Sequence, residues 1–341
     1  VVSKAYFFLG RHDRARVCTR EEVELCGQLG DREGYAKSLN NLGLIALEEG
    51  DYHSALEHLL ACFNYVAHSG LQLYALTSAC LVNIGTLYKE LQDSPKAAQY
   101  LALGIEAAVN AGDIETEIAG LTGLGMLLRE DRQFEKAMQQ FSRALQLAQQ
   151  HSKPQHEAEL LDNLGQVYTE LGEYAPARQK FTDALRLARL LGASPSEVNA
   201  LINLGRLELR EGRPAVAVKH LEAGLKRART TDRPKSVLSG SELLAEAYSR
   251  LGNTPKHLFY LQETLRLERL VKFEEHQQKT RDFSHQLESE RTKHQAEAYR
   301  LLNEAAQQAK RQAEDEVQQQ THELELARRE VVMRLGIAAE Y

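Results

Sequence analysis

The chain has 341 residues, of which 43% are hydrophobic and 26% are charged, and its formal net charge is −6. This acidic balance offers no general basic field for nucleic acid, and no apolar run approaches the length of a membrane span. The sequence therefore predicts a protein without a nucleic-acid partner and without a membrane segment.

The four cysteines are Cys18, Cys26, Cys62 and Cys80, and none has the CxxC or Cys/His spacing of a metal site. We interpret them as small buried apolar residues in a reducing compartment, and we expect a cytoplasmic location with no metal and no cofactor. The pair His12–Asp13 has no further ligands at metal spacing, so it does not change this expectation.

From the N-terminus onward, a small residue preceded by Leu or Ile recurs at steps of 42, 40, 40, 40 and 40 residues. Its copies are Gly43, Gly85, Gly125, Gly165, Gly205 and Ala245. A second small residue follows each of the first five and has one earlier copy, giving Ala15, Ala55, Ala97, Ala137, Ala177 and Ala217. A fixed period in this range predicts a solenoid of helix pairs in which small side chains let the two helices approach.

This pattern resembles the tetratricopeptide repeat, in the longer form of bacterial sensors and kinesin light chains, over roughly residues 1–265. The resemblance implies an all-α right-handed superhelix. We expect residues 1–264 to form this solenoid from about seven helix pairs, the first partial and the last degenerate. In the last pair Ala245 replaces the glycine and His257 replaces the alanine.

Asparagine stands two residues before four of the landmark glycines, at Asn41, Asn83, Asn163 and Asn203. The resemblance places this position near the concave groove, where an amide can hold a peptide backbone with its donor and its acceptor. The alternative is that each asparagine bonds the neighbouring helix. Further groove positions in the same register are Lys37, Lys89, Arg129, Gln166, Arg206 and Arg210. Their basic character suits an acidic or carboxylate-ended peptide, and the alternative is a solvated face.

Residues 265–341 contain no proline and a single glycine, Gly336, which predicts a long helix. Apolar or small residues, with some polar ones among them, recur along it at steps near three and four. This is typical of a weak coiled-coil seam, with a shift of register near 309–313. The predicted seam includes Leu287, Leu301, Val317, Leu324, Val331 and Leu335. A homodimer is the simplest source of a partner helix.

The end of the chain, residues 330–341, reads EVVMRLGIAAEY. It resembles the helix that leads into HD-GYP domains, the cyclic di-GMP phosphodiesterases of bacterial signalling. The resemblance implies a sensor region truncated before the catalytic domain of a longer protein. None of the family's metal ligands lies in this sequence.

The sequence carries no nucleophile elbow, phosphate loop or metal constellation, so we expect this chain not to be an enzyme. The favoured function is a non-catalytic sensor that binds a protein or peptide in its groove and relays binding to an output domain. Two alternatives stay open. The chain is a passive interaction scaffold, or it precedes a different enzyme such as a diguanylate cyclase or a histidine kinase.

Overall fold

The computed structural model describes residues 3, 6, 7, 11–68, 73–231 and 233–270, and all regular secondary structure in them is helical. The helices are α1 (His12–Leu29), α2 (Arg32–Glu49), α3 (Tyr52–His68), α4 (Tyr74–Glu90), α5 (Ser94–Ala111), α6 (Ile114–Glu130), α7 (Phe134–Gln150), α8 (Pro154–Glu170), α9 (Tyr174–Leu191), α10 (Ser194–Arg210), α11 (Pro214–Thr230) and α12 (Pro234–Arg250). A further helix, α13, covers 254–270. None of the helices described here is long and apolar enough to cross a membrane.

The even-numbered helices α2 to α12 carry the landmark glycine or Ala245, and we call them the first helices. The odd-numbered helices carry the second small residue or His257, and we call them the second helices. Each first helix packs on the second helix that follows it and on the one that precedes it. The described residues therefore form a stack of helix pairs, as the period predicts.

Local sequence signals begin most of these helices. The side chains of Asp31, Asp93 and Asp113 each accept a hydrogen bond from the backbone N–H three residues on, which caps α2, α5 and α6. Proline occupies the first turn of α5, α8, α10, α11 and α12, where its missing N–H costs nothing.

Most of the described helix ends share one backbone geometry. At the end of α2, Gly50 has a φ of 79°, the Asp51 N–H donates to the Ala46 carbonyl, and the Gly50 N–H donates to the Leu47 carbonyl. This is the left-handed helix end for which glycine is preferred. Three turns adopt the same φ range without glycine, at Gln92, Arg132 and Ser152. Because these three turns contain no glycine at that position, glycine does not mark them in the sequence.

The landmark glycines lie where the two helices of a pair touch. A Cβ atom built on Gly165 would lie 2.6 Å from Cε1 of Phe181, and one built on Gly43 would lie 2.6 Å from Cγ of Leu59. The second small residue of each described pair, from Ala15 to Ala217, is fully buried. The helix pairs thus meet through a small residue on one side and a large apolar residue four positions after the alanine on the other.

The core is continuous from repeat to repeat. One cluster of buried residues joins Ile105 of α5, Leu121 of α6, Phe141 of α7 and Leu160 of α8. Because one cluster takes side chains from three consecutive pairs, no pair completes its own core. This is the arrangement expected for a solenoid, in which each repeat is stabilised by its neighbours.

The last pair departs from the pattern in the way the sequence indicates. His257 Nδ1 lies 2.9 Å from the carbonyl oxygen of Ala245, so a polar contact stands where the other pairs have an alanine. Leu261, the counterpart of Phe181, is 39% exposed. The predicted boundary between residues 264 and 265 falls within α13, which is unbroken to 270. The predicted seam residues from Leu287 to Leu335 and the stretch 330–341 lie outside the described residues.

Substituting Gly165 with Ala should destabilise the protein by about 1–3 kcal/mol, because the added methyl group overlaps the Phe181 ring. The matched control is Gly27→Ala in α1, where nothing lies within 4 Å of the added Cβ. That variant should gain about 0.5–1 kcal/mol from its higher helix propensity. Thermal and urea unfolding followed by circular dichroism measure both changes, and equal effects at the two sites would contradict the crossing geometry.

Candidate functional site

The first helices form one surface of the stack. From α1 to α12, consecutive first helices contact each other, whereas consecutive second helices make no comparable contact. The first helices are therefore closer together than the second helices, and their common surface is the inner side of the curve. We call this surface the groove. All ten residues predicted from the sequence to contact a ligand belong to first helices.

Two of the four predicted asparagines donate to the preceding first helix. Asn203 Nδ2 donates to both carboxylate oxygens of Asp162, at 3.0 and 2.9 Å, and Asn83 Nδ2 donates to Asn40 Oδ1 at 3.0 Å. In both cases the acceptor stands one residue before the asparagine position of the previous repeat. For these two asparagines the structure shows the neighbouring-helix bond, one of the two alternatives. Asn163 is buried and Asn41 is half-buried.

Four of the predicted groove residues belong to one hydrogen-bonded chain, which we call the Asp162 network. It runs across α6, α8, α10 and α12. Its members are Arg129, Gln166, Asp162, Asn203, Arg206 and Ser239. This chain of hydrogen bonds crosses four helices. Because each bond requires a narrow range of donor–acceptor distance and angle, it restricts the rotation of each first helix relative to the next.

The hydrogen bonds of the Asp162 network between α8 and α12 have ordinary lengths. Gln166 Nε2 donates to Asp162 Oδ2 at 2.7 Å, and its own Oε1 accepts from Arg129. On the other side, Arg206 donates from Nη1 to Asn203 Oδ1 at 3.1 Å and from Nη2 to Ser239 Oγ at 3.2 Å. Asp162 is 8% exposed, and its buried carboxylate is satisfied by the donors of Gln166 and Asn203.

A cleft of about 320 Å³ opens above the Asp162 network. Its walls combine the aromatic rings of Phe134 and Phe181 with polar groups. The polar side chains that line it are Arg129, Glu130, Arg132, Gln166, Thr169, Glu170, Asn203 and Arg206. A concave site with aromatic side chains and convergent polar groups has the form of a ligand site.

The remaining predicted cations have carboxylate partners of their own. Lys37 pairs with Glu33, and Lys89 Nζ lies 3.0 Å from Glu90 Oε1. Arg210 donates to the Thr169 carbonyl and lies 3.1 Å from Glu170 Oε1. The groove is therefore less basic than the residue types alone indicate, because most of its cations are already compensated.

Lys37 and Asn41 line a separate cleft of about 530 Å³ near the N-terminal end of the described stack. This cleft is more apolar, and Leu76 and Ala79 of α4 form part of its wall. Six of the ten predicted groove residues thus line these two clefts, four in one and two in the other. The other four line neither cleft: Asn83, Asn163, Lys89 and Arg210. Among the described residues, no group of three or more His, Cys, Asp or Glu side chains could hold a metal ion.

Asp162 is the central residue that the sequence analysis did not identify. Burial raises its pKa above the ordinary value, while the bonds from Asn203 and Gln166 and the charges of Arg129 and Arg206 act in the opposite direction. Burial also lowers the pKa of Arg206, and the neighbouring charge of Arg210 adds to this effect. The sequence did contain a signal for it. Asp162 is a carboxylate at a repeat position that is buried in most of the other described repeats, as at Asn40, Val82 and Ile202.

Residues 117–190 and 159–230 match a tetratricopeptide-repeat family model, and residues 36–65 match a second model of the same repeat. These segments of the chain match the tetratricopeptide repeat. The matched segments cover α6 to α11 and most of α2 and α3, so the repeats predicted from the forty-residue period are confirmed there. No curated protein matches the sequence.

Several solved structures have a similar fold. A signal transduction ATPase with numerous domains from Pyrococcus horikoshii, which carries a tetratricopeptide repeat sensor, is 16% identical with a TM-score of 0.60. That match covers 73% of this chain and 38% of the other. A Rap protein complexed with Competence and Sporulation Factor is 14% identical with a TM-score of 0.55 and coverage of 71% and 76%. NprR in complex with its cognate peptide NprX is 16% identical, with a TM-score of 0.54 and coverage of 77% and 74%.

The stability of the wild-type protein should carry a pH dependence from Asp162. Because the folded-state pKa is raised, this contribution is fully present below the unfolded pKa and is lost as the pH rises through the folded pKa. Asp162→Asn should remove this loss, so its unfolding midpoint should fall less than that of the wild type above about pH 4. Thermal unfolding at several pH values measures the difference. Parallel curves for the two proteins would show that Asp162 does not titrate as its burial requires.

Proposed function

We propose that the groove binds an extended peptide or protein segment that carries carboxylate groups, and that the chain acts as a cytoplasmic, non-catalytic sensor. The observation that carries this proposal is the Asp162 network beneath a cleft with both aromatic and polar walls. Two proteins of similar fold are solved in complex with a partner, Rap with Competence and Sporulation Factor and NprR with its cognate peptide NprX. These complexes support a peptide in the groove of this chain.

The chemistry of the cleft favours an acidic ligand. Its walls hold the guanidinium groups of Arg129, Arg132 and Arg206 against the carboxylates of Glu130 and Glu170. A guanidinium has five N–H donors, and the hydrogen bonds of Arg206 to Asn203 and Ser239 involve only two of its nitrogen atoms. Charge-assisted bonds from the remaining donors would hold a ligand carboxylate, and Phe134 would contact an adjacent apolar side chain.

We also propose that ligand binding is relayed through the C-terminal helix to an output domain of the HD-GYP type. This part rests on the resemblance of residues 330–341 to the lead-in helix of that family and on the seam predicted in 265–341. The relay would pass through α13, because α13 both closes the described stack and leads into the predicted helix. A homodimer through the predicted seam would supply the partner helix.

Arg206→Ala should weaken binding of an acidic peptide about tenfold, since hydrogen bonds to a charged group are lost. The probe is a fluorescent peptide pool that ends in Asp and Glu with a free carboxylate, compared with the same pool amidated at its C-terminus. The matched control is Arg186→Ala on second helix α9, where the arginine side chain is 81% exposed. Fluorescence polarisation measures the affinities.

The control should bind as the wild type does, and the amidated pool should bind more weakly than the free acid. If Arg206→Ala and Arg186→Ala have the same affinity while both remain folded by circular dichroism, the groove is not the binding site. If free and amidated pools bind equally well, the site does not select a terminal carboxylate.

Leu324→Asp should convert the protein from dimer to monomer, because a carboxylate at a predicted seam position opposes its own copy across the pair. Leu326→Asp is the matched control, since it changes the same residue type two positions away from the seam. Light scattering after size-exclusion chromatography gives the mass. A wild-type monomer, or equal masses for the two variants, would contradict pairing through this seam.

A further inference from the structure

Two cysteines of consecutive repeats face each other inside the stack. Cys62 on α3 and Cys80 on α4 are both fully buried, and their Sγ atoms lie 3.0 Å apart. Cys62 Sγ also donates to the Ala36 carbonyl at 3.1 Å, and Cys80 Sγ lies 3.5 Å from Asn40 Oδ1. The thiols thus contact each other across the joint between two repeats, with no intervening side chain.

We propose that Cys62 and Cys80 form a reversible disulfide in response to a hydroperoxide, which makes this joint a redox-modification site. A disulfide needs the sulfur atoms about 2.05 Å apart, so the pair must close by about 1 Å. The small side-chain and helix adjustments that this requires fall within one packed joint. The bond would join the second helix of one repeat covalently to the first helix of the next.

The place of the cysteine pair in the stack gives the bond a physical effect. Helices α3 and α4 pack less extensively against each other than any other two consecutive helices from α1 to α12. The repeat step at this joint is also the longer one, 42 residues from Gly43 to Gly85 instead of 40. A disulfide would therefore strengthen the joint at which consecutive helices pack least extensively. Transient separation of α3 and α4 would let the oxidant reach the buried cysteines.

The environment distinguishes the two sulfurs. The S–H of Cys80 and the backbone N–H of Asn40 donate to Cys62, and these bonds lower the pKa of the Cys62 thiol despite its burial. The hydrogen bond to Cys62 and burial raise the pKa of Cys80. In the proposed oxidation, the Cys62 thiolate attacks the peroxide and the Cys80 thiol resolves the intermediate.

The chemistry balances with hydrogen peroxide as the oxidant. The Cys62 thiolate attacks one peroxide oxygen, the O–O bond breaks, and the departing hydroxide takes a proton, leaving a sulfenic acid. The Cys80 sulfur then attacks the Cys62 sulfur, the S–O bond breaks, and water leaves with the Cys80 proton. In total, two thiols and one peroxide give one disulfide and two waters, and a dithiol reductant reverses the oxidation.

The test uses the full chain with Cys18 and Cys26 replaced by Ala, so that only the proposed pair remains. The protein is treated with hydrogen peroxide, unfolded and alkylated, and its intact mass is measured. We expect no alkylation after peroxide, a mass lower by two hydrogen atoms, and two alkylations after dithiothreitol. The thermal unfolding midpoint should rise by several degrees on oxidation and return on reduction.

Cys80→Ala in the same background separates this chemistry from ordinary surface oxidation. It should leave Cys62 as a sulfenic acid that dimedone traps, with no internal disulfide. Two alkylated cysteines after peroxide, a disulfide between two molecules, or oxidation with no rise in midpoint would overturn the proposal. Cys80→Ser serves instead if the alanine variant does not fold by circular dichroism. None of these measurements uses a groove ligand, so they are independent of the proposed peptide binding.

Discussion

The close approach of two helices at a small residue is the constraint on which the structure depends. The Phe181 ring occupies the space that a side chain at position 165 of α8 would need. The same contact recurs between Gly43 and Leu59. Since each contact sets the distance and crossing of one pair, an even repetition of the contact produces an even stack. The groove exists because the first helices of this stack lie closer together than the second helices.

The Asp162 network depends on this regular spacing. Asn203 reaches Asp162 only because α10 repeats the position of α8 with nearly the same rotation. A buried carboxylate with several donors is costly unless every donor is in place, so the network selects one register of the repeats. It also leaves arginine donors at the wall of the cleft. Structural and ligand-binding roles therefore share the same side chains, which is why the residue types alone do not separate them.

The forty-residue period, the helix pairs and the burial of the small residues were predictable because they follow from local spacing in the sequence. The turns at Gln92, Arg132 and Ser152 were not predictable from glycine, since the backbone accepts the left-handed conformation there at some energetic cost. The partners of the groove residues were not predictable either. Asp162 and Asn203 stand 41 residues apart, and whether they touch depends on how two helices rotate about their axes.

Because core contacts join neighbouring repeats, the chain can fold while it is being synthesised. Its large clusters join side chains from adjacent repeats, so each contact closes a short length of chain. A helix pair that has left the ribosome can dock on the pair already outside while the rest of the polypeptide is still being translated. The repeats can therefore dock in chain order during translation. At each stage, the pair docked last exposes the apolar face that the next pair will cover.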